Sequence, residues 1–368
     1  MRKWRRATVG AAALTALGAL AAGCSTTSGS SAGTNASLTS SLPTNFGPAE
    51  KTTLNVGAVP AMDSAGFFVA LHDGLFAREG LTINYTPAVS SETAIEQQVA
   101  GKLDISAGNY VSYVEYDAQH GSPLEVVSEG SVTQAGAQTI FTMPDSKITT
   151  LSQLKGKLIG VNAPANIDYL LDVSVLQQNG ITPTSVDFPN GKDKASAQYK
   201  DEGAIPFPFM AQLLAEGKIS AATLPEPFAS EAEQQYGAVP LADLNQGATN
   251  DFPIEGYVVT KAWAKEYPNT LKRFLAALSV GQELSDTDRG AVEQAFESLK
   301  SPQDGEVSKS IAAVMALDTY PIGVDQARIQ RVADVMNQFG VLQNQYKVSN
   351  MLLPSSFFNF SQFTASNS

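Results

Sequence analysis

The sequence predicts an α/β protein built from two lobes and followed by a helical tail. Strand and helix patterns alternate through two successive parts of the chain, as they do where helices cover a parallel sheet. Hydrophobic residues make up 43% of the 368 residues, which excludes wholesale disorder. A chain of this length exceeds the usual size of one hydrophobic core, so we expect two lobes.

The N-terminal segment has the order of a secretory signal peptide. Four basic residues crowd positions 2–6, and a run composed mainly of Ala, Leu and Gly follows over residues 9–22. As a helix that run would cover about 21 Å, which is short of the ~30 Å hydrocarbon core of a bilayer. We therefore expect residues 1–23 to be a signal peptide and not a membrane span.

The single cysteine of the chain follows this segment directly. The five residues that end at Cys24, LAAGC, resemble the lipobox of bacterial lipoproteins, in which the cysteine becomes the lipidated first residue of the mature chain. The leucine stands one position farther from the cysteine than is commonest. We predict lipidation of Cys24, and the alternative is simple cleavage that leaves a free thiol.

The residues after Cys24 have the composition of a flexible tether. Twelve of the 24 residues from 25 to 48 are Ser or Thr, and none is charged. Such a segment cannot bury enough apolar area to offset its ordering entropy. We assign residues 24–51 to a tether that joins the lipid anchor to a folded body beginning near Thr52.

In the first half of the body, strand-like segments alternate with amphipathic helices. The strand patterns lie at residues 54–59, 81–85, 104–107 and 124–127. The intervening helices are expected to begin near Asp63 or Ser64, near Ser90 and Ser91, and near Val111. This order predicts a parallel sheet with flanking helices.

A second α/β half and a helical tail follow. Strand patterns lie at residues 138–143, 158–161, 186–188, 219–224, 239–241 and 257–260. Helices are predicted after a cap at Asn166 and over residues 209–216. From residue 263 to residue 339, apolar residues recur at helical spacing.

Five segments of the body resemble one known family. They are AGFFVALHDGLFAREGL at 65–81, AGKLDI at 100–105, LSQLKGKLIGV at 151–161, LQQNGI at 176–181 and EGKISAATLPEPF at 216–228. In this order they are similar to the solute-binding proteins of ABC importers for sulfonates, nitrate, taurine and thiamine-type pyrimidines. The resemblance covers about 170 residues and follows a lipoprotein-like signal.

The resemblance implies a periplasmic-binding-protein fold of type II, with two lobes joined by two crossing strands and a ligand cleft between them. Lobe one would hold residues 52–142 and 246–368, and lobe two residues 143–245. The implied function is capture of a small-molecule solute by lobe closure and delivery to an ABC permease that has a separate ATPase subunit. The implied location is the outer face of the cell membrane, to which the lipid on Cys24 would anchor the chain.

The candidate ligand-binding residues follow from the position of strand ends. In open α/β sheets, ligands bind beyond the carboxyl ends of the strands, where helix N-termini direct N–H groups into the crevice. Several of these residues could equally be helix caps, and the aromatic ones could equally be core. The candidates are Asp63, Ser64, Ser90, Ser91, Asn109, Tyr110, Glu129, Asn162, Asn166, Phe207, Glu226, Glu255 and Tyr257.

The charge of the candidate residues favours one class of ligand. No arginine falls in a predicted cleft segment, so a bidentate arginine clamp on a sulfonate or carboxylate is not expected. The carboxylates of Asp63, Glu129, Glu226 and Glu255 offer acceptors to an amine. We therefore rank a heteroaromatic amine of the thiamine-precursor type ahead of a sulfonate held by helix N-termini and serine hydroxyls.

Other function classes have weaker support in the sequence. A net charge of −12 argues against nucleic-acid binding, and one cysteine with two histidines argues against a Cys/His zinc site. Neither histidine lies in a predicted cleft segment, so we expect no catalytic triad, no enzyme and no cofactor. A lipid-anchored sensory or scaffold module on the same fold is the second hypothesis, and an exported enzyme is the third.

Overall fold

The computed structural model describes residues 46–190, 205–299 and 307–362. The predicted signal peptide, Cys24 and the first part of the tether lie outside those residues. The strands are β1 (Thr53–Ala58), β2 (Thr82–Pro87), β3 (Ile105–Asn109), β4 (Leu124–Val132), β5 (Gln138–Thr142), β6 (Ile159–Gly160), β7 (Ala221–Pro225), β8 (Val239–Asp243) and β9 (Pro253–Thr260). The helices are α1 (Ala65–His72), α2 (Leu75–Arg78), α3 (Ser91–Val99), α4 (Tyr110–Gln119), α5 (Ile167–Gln178), α6 (Phe207–Ala215), α7 (Phe228–Tyr236), α8 (Lys261–Glu266), α9 (Pro268–Thr287), α10 (Arg289–Glu297), α11 (Lys309–Ala312) and α12 (Gln326–Gln338). Within these ranges, no helix has both the length and the apolar character needed to cross a membrane.

The first sheet has the strand order β2-β1-β3-β9-β4. Strands β1, β2 and β3 are parallel, as the alternation of strands and helices predicts. Strand β9 returns from the second half of the chain and inserts between β3 and β4, antiparallel to both. The sheet is therefore mixed: the parallel arrangement expected from the first half of the chain holds for β1, β2 and β3, and β9 adds an antiparallel strand.

The second sheet has the strand order β6-β7-β5-β8, with β5 antiparallel to both of its neighbours. The predicted strand at residues 186–188 does not form. A 3₁₀ turn at Pro183–Ser185 precedes it, and only Asp187 pairs, in an isolated bridge with Leu158.

The chain passes between the two sheets twice, through residues 133–137 and residues 244–252. The two-lobe organisation and the mixed α/β class agree with the predicted type II fold, and this prediction is confirmed. Strand β5 belongs to the second sheet, however, so the first change of sheet comes before Gln138. The boundary expected between residues 142 and 143 lies too late, because a strand pattern does not show which sheet the strand joins.

The core of the first lobe is built around the contact between α1 and α9. A Cβ atom on Gly281 would lie 2.2 Å from the carbonyl oxygen of Gly66, so the two helices approach closely only because residue 281 is glycine. On the same side of the sheet, the rings of Phe76 and Phe274 stack with their centroids 5.1 Å apart.

A second hydrophobic cluster contains side chains from both lobes. Val111 and Val114 of α4 belong to it together with Leu170 and Leu171 of α5, and all four are fully buried. Side chains of the two lobes pack directly against each other in this cluster and exclude water. The structure therefore shows the two lobes closed on each other.

The first described residues are bound to the body. The ammonium of Lys51 lies 2.6 Å from the carboxylate of Asp104, and the carboxylate of Glu50 accepts hydrogen bonds from the N–H groups of Asn269 and Thr270. Residues 46–51 therefore belong to the first lobe. The tether was predicted to extend to residue 51, which is too far. Its end depends on polar contacts with residues distant in the chain, and local composition does not reveal such contacts.

The tail is not helical throughout. Between α11 and α12 the chain is mostly extended, and Thr319 forms an antiparallel bridge with Val132 at the end of β4. The two N–H to carbonyl distances of this bridge are 2.9 and 3.1 Å. This segment brings residues 316–320 to the place where the chain first passes between the sheets.

Candidate functional site

Three hydrogen bonds tie the lobes together around the cleft. The N–H of Met62 donates to the carbonyl of Glu226 at 2.8 Å, and the amide nitrogen of Asn162 donates to the carbonyl of Val89 at 3.0 Å. The N–H of Ala316 donates to the carboxylate of Glu226 at 3.1 Å. The predicted cleft residues Asn162 and Glu226 thus contribute directly to closure.

Three carboxyl groups meet between these contacts. Asp63 lies in the 3₁₀ turn Met62–Ser64 that precedes α1, Glu255 lies on β9, and Asp318 lies in the extended segment of the tail. The charge of Asp63 acts on Glu255 and on Asp318, and the carboxyls of Asp63 and Asp318 also share a hydrogen bond. The serine hydroxyl expected to cap α1, Ser64, turns instead to Glu255 and donates to it at 2.6 Å.

Asp318 is buried within this carboxyl cluster. Its exposed fraction is 5%, and its carboxyl forms a side-chain hydrogen bond with that of Asp63 and a backbone hydrogen bond with Gln134. Its neighbours fix its place, since Thr319 pairs with Val132 and the hydroxyl of Tyr320 donates to the carbonyl of Met62 at 3.1 Å. Because two carboxylates cannot bond to each other, the bond between Asp318 and Asp63 requires a proton on one of them.

Burial changes the protonation of the cluster. It raises the pKa of Asp63 to about 6, although hydrogen bonds with Asp318 and then with Gln138 act in the opposite direction. Burial, and then the charge of Asp63, hold the pKa of Glu255 and of Asp318 well above the usual range. The ligand-free cluster therefore retains protons near neutral pH.

Two hydroxyl groups near Glu255 are unpaired. Tyr110 and Ser131 are buried, and their hydroxyls have no hydrogen-bond partner within the described ranges, whereas the buried hydroxyl of Tyr257 lies against the backbone of Phe67. The ring of Tyr110 lies against Gly256, where a Cβ atom would be 2.6 Å from the ring carbon Cε1. Glycine at this position lets a full tyrosine ring enter the space beside β9.

A second pair of carboxyls faces the cleft from helix N-termini. Glu92 lies in the first turn of α3 in lobe one, and Asp168 lies in the first turn of α5 in lobe two. One oxygen of Asp168 accepts the N–H of Asn162 at 2.9 Å, while the other has no partner in the described part of the chain. Burial, with smaller effects from the charges of Asp63 and Glu92, raises the pKa of Asp168 to about 7.

Asp168→Asn is expected to raise the free energy of unfolding at about pH 8 by on the order of 2 kcal/mol. Between about pH 4 and about pH 7 the folded protein holds a proton on Asp168 that the unfolded chain has released, so stability falls as pH rises. Asparagine resembles the protonated acid and avoids that loss. Urea unfolding at about pH 5 and about pH 8 measures the effect.

The exposed Asp145 provides the control for this prediction. Asp145→Asn lies on the surface of the same lobe and should leave the free energy of unfolding unchanged at both pH values. A gain in Asp168→Asn that is equal at both pH values would contradict the assigned titration.

An apolar groove of about 240 Å³ opens beside the closed cleft. Val59, Pro60 and residues 87–89 line it from lobe one, and residues 206–209 and Phe228 line it from lobe two. The rings of Phe207 and Phe228 stack with centroids 5.3 Å apart. This volume lies below the range of about 300–1,000 Å³ that is usual for ligand pockets. The groove therefore has room for a small group such as a single ring.

The comparisons with known proteins agree with this geometry. The sequence model of the NMT1-like family matches residues 47–299, which is well over half of the chain. The chain belongs to the NMT1-like family. The resemblance seen in the sequence, to solute-binding proteins of ABC importers, is thereby confirmed. A search of curated proteins found no match.

Solved structures share the fold of this NMT1-like protein at low sequence identity. The alkanesulfonate-binding protein SsuA from Xanthomonas axonopodis pv. citri, bound to MOPS, is 16% identical with a TM-score of 0.65, covering 83% of this chain and 99% of that one. A ligand-binding component of an ABC-type import system from Staphylococcus aureus, with zinc bound, is 14% identical with a TM-score of 0.67, covering 86% and 99%. The nitrate-binding protein NrtA from Synechocystis PCC 6803 is 13% identical with a TM-score of 0.65, covering 86% and 88%.

Several predicted site residues of this NMT1-like protein have structural partners. The side chains of Ser90, Asn109 and Asn166 cap α3, α4 and α5, and the hydroxyl of Ser91 accepts two hydrogen bonds from Asn109. Their polar atoms are thus already used by the backbone and by each other. The assignment of these residues to ligand binding stays a prediction.

Two predicted acceptors are occupied by the protein itself. The carboxylate of Glu129 receives Arg328 at 2.7 Å and the N–H of Asp325 at 2.7 Å. The carboxylate of Glu226 receives the N–H and the hydroxyl of Ser230 as well as the N–H of Ala316. Glu129 and Glu226 therefore hold the cleft in shape and offer few free lone pairs to a solute.

Other cleft residues of the NMT1-like protein were not predicted as ligand-binding. Asp318, Glu92 and Gln138 reach the site, and Arg328 reaches Glu129 although α12 contains no predicted cleft segment. Asp318 follows no strand or helix pattern in the sequence, so no local signal marks it. In the described residues, no group of three or more His, Cys, Asp or Glu side chains is arranged to hold a metal ion.

Proposed function

We propose that this chain is the lipid-anchored, extracytoplasmic solute-binding component of an ABC importer. It captures a small organic nutrient by lobe closure and delivers it to a membrane permease served by a separate ATPase subunit. The observation that carries the proposal is a closed interlobe cleft in which polar side chains are buried with unused hydrogen-bonding capacity. Such groups destabilise a protein unless a ligand satisfies them.

The proposed ligand is a heteroaromatic amine of the thiamine-precursor type, ahead of a sulfonate. The groove beside the cleft accommodates one ring, and the stacked Phe207 and Phe228 offer it an apolar wall. Asp63, Glu255 and Asp318 offer acceptors to nitrogen donors. The structural relatives SsuA and NrtA are an alkanesulfonate-binding and a nitrate-binding protein, which would favour an anion. We prefer the amine because the cleft of this chain contains carboxyl groups, which accept hydrogen bonds from nitrogen donors.

The proposed anchor is a lipid on Cys24, after removal of residues 1–23. The lipobox-like sequence LAAGC and the uncharged Ser/Thr-rich segment after it support this assignment. The segment from residue 25 to residue 45 would join the anchor to the body at the outer face of the membrane.

A thermal-shift panel tests the ligand class. An aminomethylpyrimidine is expected to stabilise the protein by about 2.7 kcal/mol at a concentration of 100 times its Kd, because it binds only the folded state. Taurine, an alkanesulfonate and nitrate should have little effect. Stabilisation by the anions alone would contradict the ranking while leaving the receptor function intact.

Small-angle scattering tests the mechanism with the same ligand. The ligand-free protein should sample open forms, and the ligand should reduce the radius of gyration as the lobes close. A stabilising ligand that leaves the scattering curve unchanged would contradict capture by closure. Chemical conversion of the ligand during incubation would point to an exported enzyme instead.

A further inference from the structure

The side chain of Asn162 lies where three segments of the chain meet. The residue follows β6 in the second lobe and is 3% exposed. Its side-chain nitrogen donates to the carbonyl of Val89 in the first lobe at 3.0 Å and lies 3.5 Å from the carbonyl oxygen of Ile205 in the second. The two hydrogens of the amide are therefore directed to backbone carbonyls of opposite lobes.

The backbone of Asn162 is fixed separately from its side chain. Its N–H donates to the carboxylate of Asp168 at 2.9 Å, and its carbonyl accepts the N–H of Ile205 at 3.0 Å. Both partners belong to the second lobe. Among the hydrogen bonds of Asn162 with described residues, the bond to Val89 is thus the one that crosses between the lobes.

The apolar groove adjoins this contact. Val89 lines the groove, and so does Phe207, which lies two residues after Ile205. A second bond between the lobes, from the N–H of Met62 to the carbonyl of Glu226, follows the lining residues 59–60 in the chain. Because the lining comes from both lobes, the groove is complete only while the lobes are closed in this register.

We propose that Asn162 is a positioning residue whose side-chain amide holds the two lobes in the register that completes the apolar groove. This inference rests on the proposed solute-binding function and gives Asn162 a role other than the predicted ligand contact. The bond to Val89 breaks when the cleft opens, so the amide stabilises the closed form whichever solute is bound.

A direct contact with the solute is the alternative role for Asn162. The oxygen of its side-chain amide has no hydrogen-bond partner among the described residues and could accept a bond from a solute. The two roles differ in one respect. A positioning residue changes the balance of open and closed forms in the absence of any ligand, whereas a ligand contact does not.

A distance measurement between two exposed labels tests this difference without a ligand. Val99, 45% exposed on α3, and Val239, 39% exposed on β8, can carry cysteine-linked spin labels once Cys24→Ser removes the single natural cysteine of the full chain. We expect a population at the distance of the closed structure. Asn162→Ala and Asn162→Leu should each lower the ratio of closed to open forms by about fivefold, which corresponds to one neutral hydrogen bond.

Asn179→Ala is the matched control. The side-chain amide of Asn179 donates to the carbonyl of Val175 at 2.9 Å, a bond of the same kind made within the second lobe, so its loss should leave the distances unchanged. Asn162→Leu fills the space of the asparagine without its donors. Opening in Asn162→Ala but not in Asn162→Leu would assign the effect to lost volume and would overturn the inference.

Fluorine NMR tests the link to the groove. Phe207 is 7% exposed in the closed form, and 4-fluorophenylalanine at this position reports whether the first lobe covers it. In Asn162→Leu its resonance should move toward the solvent-exposed value in the proportion that the distances give. A shift of the distances with an unchanged fluorine resonance would refute the coupling of Asn162 to the groove.

Binding of an aminomethylpyrimidine separates the two roles of Asn162 further. Asn162→Leu should weaken it by no more than about fivefold, as the loss of closed form accounts for. A loss of about a hundredfold with unchanged distances would show a direct contact and refute the positioning role, as would a ligand-free protein with no closed population. The distance and fluorine measurements use no ligand, so their outcome is independent of whether the receptor function fails.

Discussion

Arg328→Ala is expected to lower the free energy of unfolding by about 2–4 kcal/mol at about pH 8 and by much less at about pH 4.5. The guanidinium of Arg328 lies 2.7 Å from the carboxylate of Glu129, whose side chain is 1% exposed. Burial raises the pKa of Glu129, and Arg328 opposes that rise. Without the arginine, Glu129 is left in one of two states. It is either charged with no cation beside it, or it takes up a proton.

The pH dependence of this loss has a definite sign. Without Arg328 the pKa of Glu129 rises further in the folded protein, so the folded state holds more protons than the unfolded chain above about pH 4.3, the usual glutamate value. Stability therefore falls as pH increases through that window. Urea unfolding at several pH values measures the change.

Arg331 on the same helix supplies a control for the Arg328 prediction. Its guanidinium donates to the carbonyls of Ala248, Asn250 and Asp251 and forms no ion pair with a described carboxylate. Arg331→Ala should therefore cause a loss that does not vary with pH. Adding Glu129→Gln to Arg328→Ala should recover part of the stability that Arg328→Ala loses at about pH 8. A loss in Arg328→Ala that is the same at every pH would contradict the ion-pair account.

Phe274→Ala is expected to lower the free energy of unfolding by about 3–5 kcal/mol. The side chain is fully buried on α9, where its ring stacks on Phe76 at 5.1 Å and meets Tyr257 edge-on at 6.3 Å. Truncation removes apolar contacts and leaves a cavity that the helix cannot collapse around. Chemical unfolding measures the loss, and ligand titration should show weaker binding because Tyr257 loses its support.

Phe274→Leu tests whether the cavity causes this loss. Leucine fills most of the space, so we expect a loss below about 1.5 kcal/mol and near-normal ligand binding. Equal losses in the leucine and alanine variants would indicate that the aromatic contacts, rather than the buried volume, stabilise this region.

Much of the fold could be predicted because local patterns determine it. The alternating run predicted at residues 81–85 and the run predicted at residues 124–127 both form strands, and the second strand continues to Val132. The insertion of Pro253–Thr260 between two earlier strands depends on pairing across more than a hundred residues. No local pattern encodes that choice, which is why the sheet was expected to be parallel.

The candidate site could be predicted in part, for a related reason. Asp63, Ser64 and Tyr110 follow strand ends, so the rule for α/β crevices finds them, and Glu255 and Tyr257 were chosen for their place beside the return crossing. Asp318 follows no strand end. It reaches the cleft because Thr319 pairs with Val132, a contact made mainly by backbone atoms between residues far apart in the chain, which the residue pattern does not reveal.

The bridge between Thr319 and Val132 fastens the extended tail segment to β4, so this segment moves with the first lobe. The hydrogen bond from the N–H of Ala316 to the carboxylate of Glu226 then joins the tail segment to the opposite lobe, and it must break each time the lobes separate. Opening of the cleft therefore uncovers one end of this segment while its other end stays paired.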